Sequence, residues 1–413
     1  MKRLWIYVPF LMLTVCTVTE LSAQSGGSVY SFYNLGTLET GGVGEASGRG
    51  GIEAPIRSTE GLNFGNPAGW TGLEYVAIQA GMTFEQYANS SGSETSHHNR
   101  TAIDNLAAGF PLSDSLPIVI GLGVRPYSTV SYVSGGSLDI PSADTSISGA
   151  AVYSGSGGVS NGFIGFAVEP VDRVAIGADL QLYFGERERV SRLDFSAPGF
   201  INAGYIETTS FSGVGSVIGA QVEPVDRLVV GASFSLPVTL TAERVTVGLY
   251  RTSAGDDTAS TGSDTATIDI PAVIRGGLSF QTGRTLLAAE ILMQAWGESG
   301  SFDGSTRNRS KYAVSVDYLP DDSPGASGID RWSFRGGLYY DASYVSIDGR
   351  GVNGIGGALG ISVPFARTGI LGSGAAIDLG LEVGTLGTGE DGDVSELSTK
   401  VTAGVRINEF WFR

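Results

Sequence analysis

The sequence predicts an all-β fold: one transmembrane antiparallel β-barrel of about fourteen strands, wound up-and-down. Three observations point to it. First, the hexapeptide VEPVDR occurs twice, beginning at Val168 and at Val222, and each copy runs into a short apolar stretch, Val174-Ala-Ile-Gly-Ala178 and Leu228-Val-Val-Gly-Ala232. Glu-Pro-Val-Asp is turn chemistry: proline presets φ and cannot donate to a sheet ladder, and aspartate favours turn positions. Two strand-like runs and one polar loop separate the copies, so both turns fall on the same edge of an up-and-down sheet. Second, glycine supplies 62 of 413 residues and charged residues only 16%, against roughly 7% and roughly 25% in soluble domains. Third, no apolar run of about 20 residues follows the N-terminal stretch, so the sequence has no spanning helix to explain that composition. A large secreted β-sandwich shares the composition, but its strands typically run about 5–6 residues. The runs here are of about 10 or more.

In chain order, Met1-Lys-Arg3 and the uncharged 4–19 stretch read as a secretory signal peptide, with Leu21-Ser-Ala23 fitting cleavage before Gln24. Cys16, the only cysteine, falls inside it, in a poor lipoprotein box, so the expected mature chain has neither disulfide nor thiol chemistry. Removing residues 1–23, net +1 from Lys2, Arg3 and Glu20, takes the charge from −17 to −18, which argues against nucleic acid as a partner. Residues 24–72 do not alternate. They are glycine-rich with few charges, too apolar for a linker and too irregular for a sheet, and they contain a restricted turn at Asn66-Pro-Ala-Gly69.

From residue 73 to 413 the chain is a train of strands, near 73–88, 100–112, 117–134, 157–169, 173–188, 204–223, 227–250, 266–282, 285–297, 309–319, 330–340, 353–366, 374–386 and 395–413. The connections alternate. Short ones fall at 113–116, at the two EPVD turns, at 283–284 and at 366–373, with 320–329 the longer member of that set. Long polar ones fall at 89–99, 135–156, 189–203, 251–265, 297–308, 341–352 and 387–394. Short turns on one side and long loops on the other, with an even strand count, mark an outer-membrane barrel. Alternation agrees: Tyr312, Val314, Val316 and Tyr318 oppose Ala313, Ser315 and Asp317; Leu287, Ala289, Ile291 and Met293 oppose Glu290 and Gln294; Ile377, Leu379, Leu381 and Val383 oppose Asp378 and Glu382. The apolar face is expected to meet lipid and the polar face a lumen. Tyr318, Trp332, Tyr339-Tyr340 and Phe410-Trp411-Phe412 sit at strand ends, as interfacial girdles do.

The chain resembles the FadL-type outer-membrane transport proteins, which carry long-chain fatty acids and other hydrophobic compounds. Asn66-Pro67-Ala68 matches that family's hatch motif, the EPVDR turns its recurrent periplasmic turn, and the Pro271 to Leu278 stretch leading to Trp296 its P-x-x-x-x-x-G-L hairpin. The end, Asn408-Glu-Phe-Trp-Phe-Arg413, is similar to variants from Bacteroidetes-like bacteria. The resemblance implies a signal peptide (1–23), an N-terminal hatch plugging the lumen (24–72) and a fourteen-stranded barrel (73–413) in the bacterial outer membrane. It implies passive uptake of hydrophobic small molecules such as long-chain fatty acids, with a lateral opening near the third strand. There Gly121-Leu-Gly123-Val-Arg125-Pro126 combines residues that weaken or interrupt a ladder. The alternative is a barrel of the same kind that docks or shuttles for a secretion or envelope system without moving cargo.

Parity places Arg125, Arg275, Arg335, Lys400 and Arg406 in the lumen among Asp104, Asp179, Glu290, Asp317, Asp378 and Glu382. Such charges pair and hold a hatch. One or two arginines, with Arg125, Arg275 and Arg335 the candidates, are expected to receive a carboxylate head group, since arginine grips it with two parallel bonds. Leu62 and Phe64 are the candidates for contact with its apolar tail. Enzyme chemistry has no purchase. His97-His98 are adjacent, so on a strand they point oppositely and make no metal pair. No serine sits in a G-x-S-x-G setting, and Gly354 to Gly360 lacks the lysine and helix start of a phosphate loop. No cofactor or metal is expected. The expected partners are a hydrophobic ligand, outer-membrane lipid and the barrel-assembly machinery, with the chain itself a monomer.

Overall fold

The computed structural model describes residues 24–40, 45–113, 117–141, 146–196, 201–252, 255–300, 305–321, 323, 325–367, 374–388 and 393–409. The expected leader and the 410–413 motif lie outside them. Fourteen antiparallel wall strands close on themselves. They are β1 (Val76–Ser91), β2 (Glu94–Ser113), β3 (Ile118–Pro141), β4 (Ser146–Val171), β5 (Val174–Phe195), β6 (Asn202–Val225), β7 (Leu228–Ser235 continuing as Val238–Thr252), β8 (Gly255–Ile270 continuing as Val273–Thr282), β9 (Thr285–Gln294), β10 (Arg309–Tyr318), β11 (Ser333–Ile347), β12 (Arg350–Arg367), β13 (Gly374–Gly387) and β14 (Ser395–Glu409). The last closes on the first, from Ser395↔Ser90 to Glu409↔Val76. β7 and β8 are each interrupted at one level, at Leu236-Pro237 and Pro271-Ala272, because proline supplies no ladder donor.

Outward positions carry the apolar band. Leu287, Met293, Tyr312, Val314, Val316, Leu338, Leu359, Leu381 and Val383 are exposed there, while Glu290, Gln294, Asp317 and Asp378 are buried inside. Tyr340 faces out as a girdle residue, but Tyr339 points inward and its hydroxyl donates to Glu382 Oε1 at 2.7 Å. The two EPVDR turns do share an edge. Arg173 and Arg227 take the left-handed region (φ 68° and 70°), each held by its own glutamate: Glu169 and Glu223 accept the arginine amides at 2.7 Å. Arg173 Nη2 then reaches Asp226 of the other turn at 2.6 Å.

The expected long loops are mostly strand. Residues 94–99, 135–141, 146–156, 189–195 and 255–265 continue the wall, and the β1–β2 connection is a tight turn with Gly92 at φ 58°. Strand-like alternation fades in these stretches because water lies on both faces of a wall that rises clear of the membrane. β3 to β8 rise furthest, with β4 26 residues long against 10 for β9 and 10 for β10.

The wall also parts between β2 and β3. β2 and β3 pair from Ser113↔Ile118 up to Leu106↔Val124. Among the described residues no β2–β3 pair lies above that point, although there β2 stays paired to β1 up to Glu94 and β3 to β4 up to Pro141.

Candidate functional site

The N-terminal segment, residues 24–40 and 45–75, packs against the inner face of the wall, and inward glycines let it approach. Gly177 and Gly231 are the glycines of the two apolar runs that follow VEPVDR. A Cβ at Gly177 would lie 2.6 Å from the Pro67 carbonyl carbon, and one at Gly231 2.0 Å from Ala54 O. At Gly219 it would lie 2.0 Å from Asn66 Oδ1, and at Gly337 2.5 Å from the Arg49 carbonyl carbon. The repeat is therefore both a turn and a docking surface, a role its Gly-Ala ending signals and its turn chemistry hides.

Asn66, Pro67 and Ala68 make the turn at the centre of this contact. Asn66 caps the 3₁₀ turn Pro67–Gly72 by accepting the Ala68 amide at 3.0 Å, and its Nδ2 donates to Ala54 O at 2.8 Å and to Ala220 O of β6 at 3.3 Å. Leu62 and Phe64 lie beside it, buried with Trp70, Leu73, Ala77, Ala107, Val119, Phe163 and Ala167 in one apolar cluster. Gly121 makes room for Trp70, whose ring would meet a Cβ there at 2.8 Å.

Ionic groups tie the segment down at several places, Arg57 to Glu169 of β4 at 3.1 Å among them. On five consecutive strands, β10 to β14, Asp317, Arg335, Ser362, Asp378 and Arg406 form a buried belt. Arg335 Nη1 donates to Ser362 Oγ at 2.7 Å, and Arg406 Nε donates to Asp378 Oδ2 at 2.5 Å. Arg49 joins the belt through Asp317 at 2.5 Å, and Glu60 through Arg406 at 2.6 Å. On β8 and β9, Arg275 pairs with Glu290 at 2.9 Å, while Glu290 Oε2 accepts the Glu53 and Ala54 amides at 2.7 and 2.6 Å. Higher up, Glu39 sits at the β2–β3 interruption. It accepts from Arg100 of β2 at 3.1 Å and Thr129 of β3 at 2.9 Å, and Lys400 lies 3.6 Å away.

Two of the three candidate arginines, Arg275 and Arg335, are thus engaged with protein groups. Arg125 differs. Among the described residues it makes no hydrogen bond or ion pair within bonding distance, although its charge is felt by Asp179. Its guanidinium stands 5.4 Å from the Phe64 ring centroid. With Phe64, Pro126, Tyr127, Tyr183, Leu236 and Ile270 it lines a cavity of about 60 Å³. Pro126 pairs with Ser160 of β4, and the register slips at the next residue. Gly121 and Gly123 lie below the interruption, in the paired part of β2–β3 opposite Gly109 and Ala107. They do not thin the wall at the break, because the space they leave is used by Trp70 and by the close approach of Ala107. A second cavity, of about 160 Å³, is lined by Tyr30, Glu39, Lys311, Asp341, Glu382 and Lys400 among others. Sequence reading missed Glu39, Arg49, Glu53 and Arg100, all on irregular or unalternating stretches.

The model of the BamG family matches residues 2–413. The chain belongs to the BamG family. Its barrel is also similar in fold to solved outer-membrane channels. A FadL homologue of Pseudomonas aeruginosa superposes with a TM-score of 0.62 at 15% identity, covering 91% of this chain and 100% of that one. The toluene transporter TbuX of Ralstonia pickettii gives 0.61 at 15%, covering 90% and 99%, and TodX of P. putida, also a toluene transporter, 0.56 at 14%, covering 91% and 100%. No curated protein sequence matches. The FadL-type resemblance drawn from the motifs is met in the fold of this BamG-family chain: a closed fourteen-stranded wall of the outer-membrane kind.

Proposed function

We propose that this barrel takes up hydrophobic small molecules passively, with residues 24–72 as its hatch and the β2–β3 interruption as the lateral way out. One observation carries the reading. Arg125, a lumenal arginine that makes no hydrogen bond or ion pair among the described residues, stands at the foot of the interruption with its guanidinium over the Phe64 ring. A guanidinium over Phe64, whose cluster also holds Leu62 and Phe163, suits an amphipathic acid: two charge-assisted bonds for the carboxylate and a dry bed for the tail. A fatty acid is the cargo of that form, and a neutral hydrocarbon would use the bed alone. The cavity of about 60 Å³ beneath the interruption is far smaller than such cargo. The lining residues of the segment, Leu38 to Thr40 and Phe64-Gly65, therefore move during passage.

Uptake into vesicles carrying the purified protein tests this. Arg125→Ala is expected to slow entry of oleate about tenfold or more, in line with a charge-assisted bond of about 1.5–3 kcal/mol, and to leave toluene entry within about twofold. Equal loss for both probes, or none for oleate, removes Arg125 as the head-group site.

A docking role without cargo remains the second reading. The feature that favours it is the wall of β3 to β8, which continues far beyond the apolar band and is wet on both faces.

A further inference from the structure

The second cavity, of about 160 Å³, lies between the N-terminal segment and the inner faces of β1 and β10 to β14. Its wall is strongly charged, and most of those charges are answered within the protein. Arg309 grips Asp341 at 3.1 and 2.6 Å, Lys400 stands 3.6 Å from both Glu39 and Glu85, and Glu396 accepts the Val29 amide at 3.1 Å. Two groups are left. Lys311 of β10 and Glu382 of β13 both line the cavity, and among the described residues neither makes an ion pair within bonding distance. The register explains this. Asp341 stands opposite Lys311, and Lys400 opposite Glu382, but these are the groups already engaged by Arg309, Glu39 and Glu85.

Tyr339 holds the two leftover charges apart. Inward glycines on β12 and β13 let it lie along the wall: a Cβ at Gly356 would come 2.5 Å from the Tyr339 hydroxyl oxygen, and one at Gly384 2.7 Å. That hydroxyl donates to Glu382 Oε1 at 2.7 Å, while Lys311 Nζ stands 4.4 Å from the ring centroid. Lys311 is only 8% exposed, and its one hydrogen bond, to Thr40 Oγ1 at 3.0 Å, leaves two of its three donors. Asp341 and Lys400 keep 18% and 19% of their side-chain surface, so water reaches the chamber. A lone anion would answer Lys311 but face Glu382, and a lone cation the reverse. A molecule carrying both charges answers both and brings no net charge into the lumen. A cavity of about 150 Å³ takes up a molecule the size of benzene, which sets the size of the ligand.

We propose that this chamber binds a small zwitterion of the α-amino acid kind, its carboxylate on Lys311 and its ammonium on Glu382, beside the Tyr339 ring. The site is separate from the bed beneath Arg125: the two cavities share Leu38, Glu39, Thr40 and Arg309 and no other lining residue. It holds whether or not the barrel carries hydrophobic cargo.

Equilibrium dialysis of the purified protein in detergent tests this, with labelled glycine and L-alanine as probes. Propionate and ethylamine, which each lack one of alanine's two charged groups, are the controls. Saturable binding of about one zwitterion per chain is expected, with propionate and ethylamine each at least tenfold weaker. Lys311→Met and Glu382→Gln are each expected to weaken the zwitterion at least tenfold while heat-modifiable migration stays unchanged. The order of the probes on the parent protein needs no variant, so it decides the matter even where a variant fails to fold. No saturable binding of either amino acid at millimolar concentration, equal binding of propionate or ethylamine, or unchanged binding in either folded variant overturns the proposal.

Discussion

Asp317→Ala is expected to lower the stability of the folded barrel by about 3–5 kcal/mol, the cost of removing one partner from a buried ion pair. Asp317 is fully buried on β10 and accepts from Arg49 of the N-terminal segment at 2.5 Å, with Arg335 Nε at 3.8 Å. Alanine leaves two guanidinium groups in a dry interior without that carboxylate. Asp317→Asn keeps the size and one acceptor oxygen, so its loss is expected to be smaller. Denaturant titration in detergent, followed by tryptophan fluorescence, measures both. A change below about 1 kcal/mol for the alanine variant would mean the belt is solvated and contributes little.

Gly219→Val is expected to free the N-terminal segment while leaving the wall closed. The first added carbon would sit 2.0 Å from Asn66 Oδ1 and 3.2 Å from Pro67 Cδ; the proline ring is rigid, and the Asn66 amide is held in place by the Ala68 amide, Ala54 O and Ala220 O. Overpacking of this kind costs about 1–3 kcal/mol, and here the cheaper response is for the Asn66 turn to lift off β6. That breaks its bond to Ala220 O and exposes the chain around Arg49 and Arg57. Trypsin is expected to cut after these arginines within minutes in the variant and not in the parent, while heat-modifiable migration stays unchanged in both. Continued protection in the variant would show that the ionic ties at Asp317, Glu290 and Arg406 hold the segment without the turn.

How much of this was readable depends on where each residue sits relative to lipid. In the apolar band the outward face meets lipid and the inward face meets polar and charged partners, so Leu287 to Met293 and Tyr312 to Tyr318 alternate and their strands were legible. Above the band both faces are wet. The stretch 255–265 then has no reason to alternate, and it read as loop although it pairs with β7 apart from one bulge. The inward direction of Arg335, Asp378 and Arg406 followed from parity. Their partnership did not, because the belt runs across five strands, perpendicular to the sequence. The segment at 24–72 has no period at all, so Glu39 and Glu53 left no mark. The β2–β3 interruption is a further case. Local chemistry pointed to Gly121 through Pro126, but the ladder ends at Val124 because β3 turns to the segment at Tyr127 to Ser131, and that partner is far away in sequence.

Passage through the interruption is the central claim, and closing it is the direct test. The expected mature chain has no cysteine, so Thr101→Cys with Ser131→Cys places one thiol on each edge of the break, to be joined by a bismaleimide of about 10 Å span. Vesicle uptake of a fluorescent fatty acid is then compared before and after joining. The account predicts at least a tenfold fall on joining the edges, with normal uptake in the unjoined double variant and in each single variant treated with the same reagent. Undiminished uptake with the edges joined would contradict it and move the route to the lumen past Arg275 and Arg335.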